Sequence, residues 1–105
     1  MQFVKRSWGW WVSILKRPRF KIKVLWFSAG KKLSVQKHAM RSELWCFLMG
    51  RGLFLNKNQW LGVNCGEYRL VPPETPHCYQ AFKNTLILEI QFGDKCIEDD
   101  IVRLS

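Results

Sequence analysis

The sequence predicts an all-β domain, a sandwich or barrel of short strands, and three observations predict it. Turn signals recur about every eight to twelve residues. The segments between them are rich in β-branched and aromatic residues. In Phe20-Lys21-Ile22-Lys23-Val24 the chain alternates apolar and charged residues with the two-residue period of a strand.

The elements follow in order. Trp8 to Leu15 and Arg19 to Phe27 read as strands, the second broken by Ser28-Ala29-Gly30. Lys32 to His38 begins a third, and Glu43 to Met49 a fourth that Gly50-Arg51-Gly52 closes. Leu53 to Asn56, Trp60 to Val63 and Glu67 to Val71 follow, separated by Asn56-Lys57-Asn58 and Asn64-Cys65-Gly66. Beyond Pro72-Pro73, Cys78 to Phe82 and Thr85 to Phe92 flank a turn at Lys83-Asn84. Glu98 to Leu104 suggests a terminal helical turn, with acids at its start and Arg103 near its end. No repeat, linker or low-complexity segment divides residues 1–105, which read as one domain.

Composition excludes several classes. Apolar residues are 48% of the 105, with six Trp and seven Phe, so a disordered chain is excluded. No apolar stretch approaches the roughly 18 to 20 residues of a membrane helix, and no membrane partner is expected. The run Trp8 to Leu15 lacks a small-residue cleavage site and reads as structure rather than a signal peptide. Four cysteines without a C-x-x-C pair fit free thiols in a reducing cytoplasm. The net charge of +9 calls for an anionic partner. Lysines and arginines are spread along the chain, and alternation with apolar residues places Lys21 and Lys23 on a solvated strand face. A phosphorylated metabolite is therefore expected rather than nucleic acid.

Chemistry concentrates in Gly30 to Gly50. On a strand, Gln36 and His38 share one face. Glu43 opens the next strand and is expected across a hairpin, where facing Cβ atoms are roughly 4.5 to 5.5 Å apart. The second segment, Gly66 to His77, fixes its backbone with prolines before a histidine enters the next strand. The chain has two histidines, His38 and His77, and one lies in each segment. An amide oxygen, two imidazoles and a carboxylate suit one divalent ion, Zn²⁺ first, with Mn²⁺, Co²⁺, Ni²⁺ or Fe²⁺ as alternatives. Four protein ligands with room for water or substrate describe an open, catalytic type of site. Arg41 reaches the same cavity if its strand extends back that far. Tyr79, two residues after His77, shares that residue's strand face and is a candidate to line the cavity.

These segments resemble the paired cupin motifs, Gly-x5-His-x-His-x4-Glu-x6-Gly and Gly-x5-Pro-x-Gly-x2-His. The chain further resembles type II mannose-6-phosphate isomerases, found as C-terminal domains of bifunctional mannose-1-phosphate guanylyltransferases. The likeness runs from Arg6-Ser7-Trp8-Gly9-Trp10-Trp11 through Leu33 to Gln36, Arg41 to Trp45 and Val71 to His77. It closes with Gly93-Asp94 and Glu98 to Leu104. Gln36, in place of the first cupin histidine, is itself characteristic of that family. The sequence departs from the family at Ser7, where proline is usual, and at Ala39, Met40 and Leu44, where histidines are usual. Glu74 replaces a small residue or glycine.

The resemblance implies a cupin jelly-roll barrel holding one metal on Gln36, His38, Glu43 and His77. It implies interconversion of mannose 6-phosphate and fructose 6-phosphate through an enediol. Arg103 matches the position of an active-site arginine, and Arg41 and Arg103, permanently protonated, suit charge stabilisation or phosphate binding. Glu74, Lys37 and a metal-bound hydroxide are candidates for the base, with Lys37, Glu74 and Tyr79 as substrate contacts. No Gly-rich nucleotide loop occurs, so these residues are not expected to make a sugar nucleotide. The alternative is a non-catalytic cupin that binds a sugar or sugar nucleotide beside a separate guanylyltransferase. A homodimer paired through edge strands is expected.

Overall fold

In the computed structural model, which describes residues 1–105, the chain folds into eleven strands and no helix. They are β1 (Gln2–Arg6), β2 (Gly9–Arg17), β3 (Phe20–Phe27), β4 (Gln36–Lys37), β5 (Arg41–Met49) and β6 (Arg51–Asn56). β7 (Gln59–Asn64), β8 (Tyr68–Val71), β9 (His77–Ala81), β10 (Thr85–Gly93) and β11 (Val102–Arg103) complete the set. All pairings are antiparallel, within a six-stranded sheet of order β1-β2-β3-β10-β5-β8 and a five-stranded sheet of order β11-β4-β9-β6-β7. The expected strands are present within a few residues at their ends, except that Lys32 to His38 is strand only at Gln36–Lys37, with Lys32 in an isolated bridge to Gln80. β1 was not anticipated as a strand, because five residues of mixed polarity carry little periodic signal.

The interior is zoned along the strands. β3 turns Lys21, Lys23, Leu25 and Phe27 inward, β10 turns Thr85, Ile87, Glu89 and Gln91, and β5 turns Arg41, Glu43, Trp45 and Phe47. Antiparallel register sets Phe27 beside Thr85, Leu25 beside Ile87 and Ile87 beside Phe47 at one end. At the other end Lys23 lies beside Glu89, Lys21 beside Gln91 and Gln91 beside Glu43. One half of the barrel is thus an apolar plug and the other an ionic chamber.

The plug is aromatic. Phe27 stacks on Trp8 at 4.2 Å between centroids and meets Tyr79 edge-on at 5.0 Å. Phe54 meets Trp45 and Phe47 edge-on from the facing sheet. Such pairs add about 0.5 to 1.5 kcal/mol each to the burial of their area. Gly50, at φ +93°, makes the tight turn from β5 to β6, where a Cβ would come 2.3 Å from the Asn84 carbonyl oxygen.

Three expectations are corrected here. Lys21 and Lys23 are not solvated: they are 0% and 6% exposed and point into the barrel. The two-residue period was right but the face was reversed, because the outer face of this sheet carries the apolar residues. The register lines up Val12, Val24, Leu88, Cys46 and Tyr68 in one outward row, and Ile22, Ile90, Leu44 and Leu70 in another.

Glu98 to Leu104 forms no helix; it is an irregular segment ending in β11, which pairs with β4. A lone turn of helix gains little, while tertiary partners hold this segment extended. Asp100 accepts from the Ala39 and Met40 amides, and the Leu104 amide donates to Val35. Nor do Gln36 and Glu43 face each other across a hairpin, for β4 and β5 lie in different sheets. Gln36 pairs with His77 in one sheet, Glu43 with Gln91 and Val71 in the other, so the motif closes across the barrel interior.

All four cysteines are free. No helix is long and apolar enough to cross a membrane.

Candidate metal centre

The ionic chamber opens to solvent through a cavity of about 200 Å³. Its lining includes Gln36, Arg41, Glu43, Trp45, Glu89 and Arg103. His38, Glu43 and His77 are all buried and bring their donor atoms within 4.8 Å of one another. Each has a structural reason to be where it is. Backbone pairing of Gln36 with His77 aligns β4 with β9, and the Pro-rich turn delivers His77 to the start of its strand.

Both imidazoles are oriented by backbone carbonyls. His38 Nδ1 lies 2.7 Å from the Asp100 oxygen, and His77 Nδ1 lies 3.0 Å from the Thr75 oxygen. A carbonyl only accepts, so each Nδ1 carries the proton and each Nε2 turns inward. His38 Nε2 is 3.1 Å from Glu43 Oε2 and His77 Nε2 is 3.4 Å from Glu43 Oε1. The Nε2 of His77 is fully buried with no hydrogen-bond partner. Lone pairs facing a carboxylate require a cation between them, either a proton or a metal ion.

The spacing fits a metal. Donors each about 2.1 Å from a common ion sit roughly 3.0 to 3.4 Å apart at octahedral or tetrahedral angles. Gln36 lines the same cavity, and its amide nitrogen donates weakly to Ser34 at 3.4 Å, which leaves the amide oxygen available as a ligand.

Electrostatics follow from burial. Desolvation pushes the Glu43 carboxyl up, but His77, His38 and Arg41 together hold it well below the usual carboxylate range. Burial depresses His38. It would depress His77 too, yet the charge of Glu43 raises that imidazole. Arg41 donates from Nε to Glu43 Oε2 at 2.9 Å and from Nη1 to the Ile97 carbonyl at 2.8 Å. Its Nη2 lies 3.4 Å from His38 Nε2. Trp45 Nε1 donates to the other Glu43 oxygen at 3.0 Å.

The structure sorts the remaining candidates. Arg41 is buried in the chamber, and Arg103 lies on the cavity rim beside Gln36. No ion pair joins Arg103 to Asp99.

Tyr79 does not line the cavity: it is fully buried in the aromatic plug, and its hydroxyl lies 2.7 Å from Thr85 Oγ1. Tyr79→Phe is expected to cost about 0.5 to 1.5 kcal/mol in chemical denaturation and to leave metal affinity unchanged. Lys37 and Glu74 lie outside the chamber as well, 3.8 Å from each other, because Lys37 alternates with the inward Gln36 and His38.

The histidines absent at Ala39, Met40 and Leu44 remove nothing from the cavity. Ala39 and Met40 are exposed in a turn, and Leu44 faces outward from β5. Ser7 does line it.

The sequence reading missed Lys21, Lys23, Glu89, Gln91 and Glu98. The inward Glu89 has a carboxyl held by one contact, the amide of Gln91 at 2.7 Å, and no ion pair. Burial, with the charge of Glu43 added, raises it to about 7. A carboxyl raised in the fold binds a proton that the unfolded chain has already released, so its contribution to stability falls as pH rises from about 4.5 to about 7. Glu89→Gln is expected to remove that fall, read as the difference between metal-free wild-type and variant melting curves across this window. The signal that reveals these residues is the shared spacing of two: Lys21 with Lys23 near the start of one strand, Glu89 with Gln91 near the end of its neighbour.

Comparison with known proteins identifies the family and the fold. The family model described as mannose-6-phosphate isomerase C-terminal matches residues 1–105. The chain is 31% identical over 105 residues to a mannose-1-phosphate guanylyltransferase of Escherichia coli, covering 97% of this chain and 22% of that protein. It therefore spans about a fifth of the length of that curated relative. In fold it is similar to KdgF from a Halomonas species, with TM-score 0.84 and 12% identity over 94% of this chain and 90% of the other. It is also similar to a cupin superfamily protein of Desulfitobacterium hafniense, with TM-score 0.73 and 18% identity over 80% and 76%. A match over every residue, on a cupin barrel, means that this chain belongs to the family of mannose-6-phosphate isomerase C-terminal domains.

Proposed function

We propose that the chain is a metal-dependent sugar-phosphate isomerase interconverting mannose 6-phosphate and fructose 6-phosphate, with Gln36, His38, Glu43 and His77 holding one divalent ion, Zn²⁺ first. The observation that carries it is the pair of inward imidazole Nε2 atoms facing Glu43 beside an open cavity. A bound ion supplies positive charge to the substrate oxygens as negative charge develops on them.

The chain's own residues do the rest. Glu89 is the cavity carboxylate outside any ion pair and is the group assigned to the proton. It takes the proton from C2 of the aldose, and the C–H pair becomes the C1–C2 double bond of an enediolate, with charge moving onto O1. A proton passes from O2 to O1, and Glu89 returns its proton to C1 to give the ketose. Arg41 stabilises the anionic intermediate, and Arg103 at the rim contributes to substrate charge.

A coupled assay for fructose 6-phosphate formation tests this on protein reconstituted with Zn²⁺, Mn²⁺, Co²⁺, Ni²⁺ or Fe²⁺. Turnover that needs metal and disappears in His38→Ala is expected. Stoichiometric metal without turnover would refute the isomerase reading.

One observation favours the second reading, a sugar-binding cupin without turnover: Arg41 already neutralises Glu43 in the chamber. Failure to bind any divalent ion would support it.

A homodimer also fits, through the outward apolar face rather than the strand edges. Leu48, Leu70 and Tyr68 on that face are 55%, 49% and 66% exposed. Light scattering is expected to give twice the monomer mass, falling to the monomer in Leu70→Glu.

A further inference from the structure

We propose that Lys21 and Lys23 form the subsite for the substrate's phosphate, and that Glu98 occupies it in the ligand-free protein as an internal anion. The inference rests on the sugar-phosphate reading of the cavity.

Two ammonium groups buried at adjacent inward positions of one strand are costly unless an anion sits between them. The only carboxylate within ion-pair distance of either is Glu98. Lys21 Nζ is 2.5 Å from Glu98 Oε2, while Lys23 Nζ is 2.8 Å from Oε2 and 3.0 Å from Oε1. One small group with two anionic oxygens thus bridges two lysines, as a phosphate would. Trp11 holds Lys23 in place, with the nitrogen 3.8 Å from the ring centroid.

Three features make this carboxylate exchangeable and the subsite useful. Glu98 comes from the irregular segment between β10 and β11, and its side chain is 40% exposed. Lys23 and Glu98 line the same cavity as Gln36, Glu43 and Glu89, so an anion there is tethered to the reacting end. The charges also match. Among the groups lining the cavity, Arg6, Lys23, Arg41 and Arg103 outnumber Glu43, Glu89 and Glu98, and a divalent ion would add to that positive excess, which favours an anionic ligand. The two ammonium groups hold the Glu98 carboxyl down at about 2 against the upward push of burial, so it competes as a full charge at neutral pH.

Calorimetric titration of the full chain with inorganic phosphate, mannose 6-phosphate and mannose tests the proposal. Glu98→Gln removes the competitor and is expected to bind phosphate and mannose 6-phosphate at least about tenfold more tightly. Lys23→Gln is expected to weaken both by a similar factor, with mannose unaffected in either variant. Unchanged or weaker phosphate binding in a folded Glu98→Gln would overturn the subsite. So would unchanged binding in Lys23→Gln, which decides alone if Glu98→Gln does not fold. Because phosphate binding needs no turnover, an inactive protein with this pattern would sink the isomerase reading and leave the subsite standing.

Discussion

His77→Ala is expected to abolish stoichiometric binding of divalent metal, with affinity falling by more than the roughly 10- to 100-fold typical of losing a residue that merely orients a ligand. His77 is fully buried, its Nδ1 is committed to the Thr75 carbonyl, and its Nε2 has no other partner than what lies between it and Glu43. Removing the ring takes away a donor that no neighbour can replace. Metal content by elemental analysis, and affinity by competition with a chelator, are the readouts. His38→Ala is expected to behave alike, since His38 is fixed by the Asp100 carbonyl in the same way. A melting curve on each variant separates lost ligation from lost fold.

The second large effect is on stability. Arg41→Ala leaves Glu43, 1% exposed, as a buried carboxylate stripped of its ion-pair partner. Breaking one side of such a pair costs about 3 to 5 kcal/mol. The variant also loses the clamp from Arg41 Nη1 to the Ile97 carbonyl, which holds the C-terminal segment over the chamber. Chemical denaturation of metal-free protein is expected to show this loss, and added Zn²⁺ to restore part of it by supplying the missing positive charge. Destabilisation without metal rescue would mean that Arg41 and the ion do not share Glu43.

The sequence made the fold largely legible because strand period and turn residues are local signals. The convergence of His38, Glu43 and His77 was legible for a similar reason: each falls in one of two short motifs, and His77 follows a proline turn. What local patterns do not contain is the side of a sheet that faces inward. In Phe20-Lys21-Ile22-Lys23-Val24 the apolar residues suggest the core, yet this half of the barrel encloses charge, so the lysines turn inward. The same inversion hid Glu89 and Gln91 within Leu86-Ile87-Leu88-Glu89-Ile90-Gln91-Phe92. The terminal segment misled differently. Its helical pattern is real, but Glu98, Asp100 and Leu104 each find a partner elsewhere in the chain, and those contacts draw the segment out straight.

The most direct test of a metal-dependent isomerase is proton magnetic resonance of mannose 6-phosphate with Zn²⁺-reconstituted protein in deuterium oxide. Conversion to fructose 6-phosphate is expected, with deuterium at C1 only in the fraction of turnovers in which the proton held by Glu89 exchanges with solvent, and with no conversion in metal-free protein or in His77→Ala. Protein that holds one ion per chain and leaves mannose 6-phosphate unconverted and unlabelled would contradict the account.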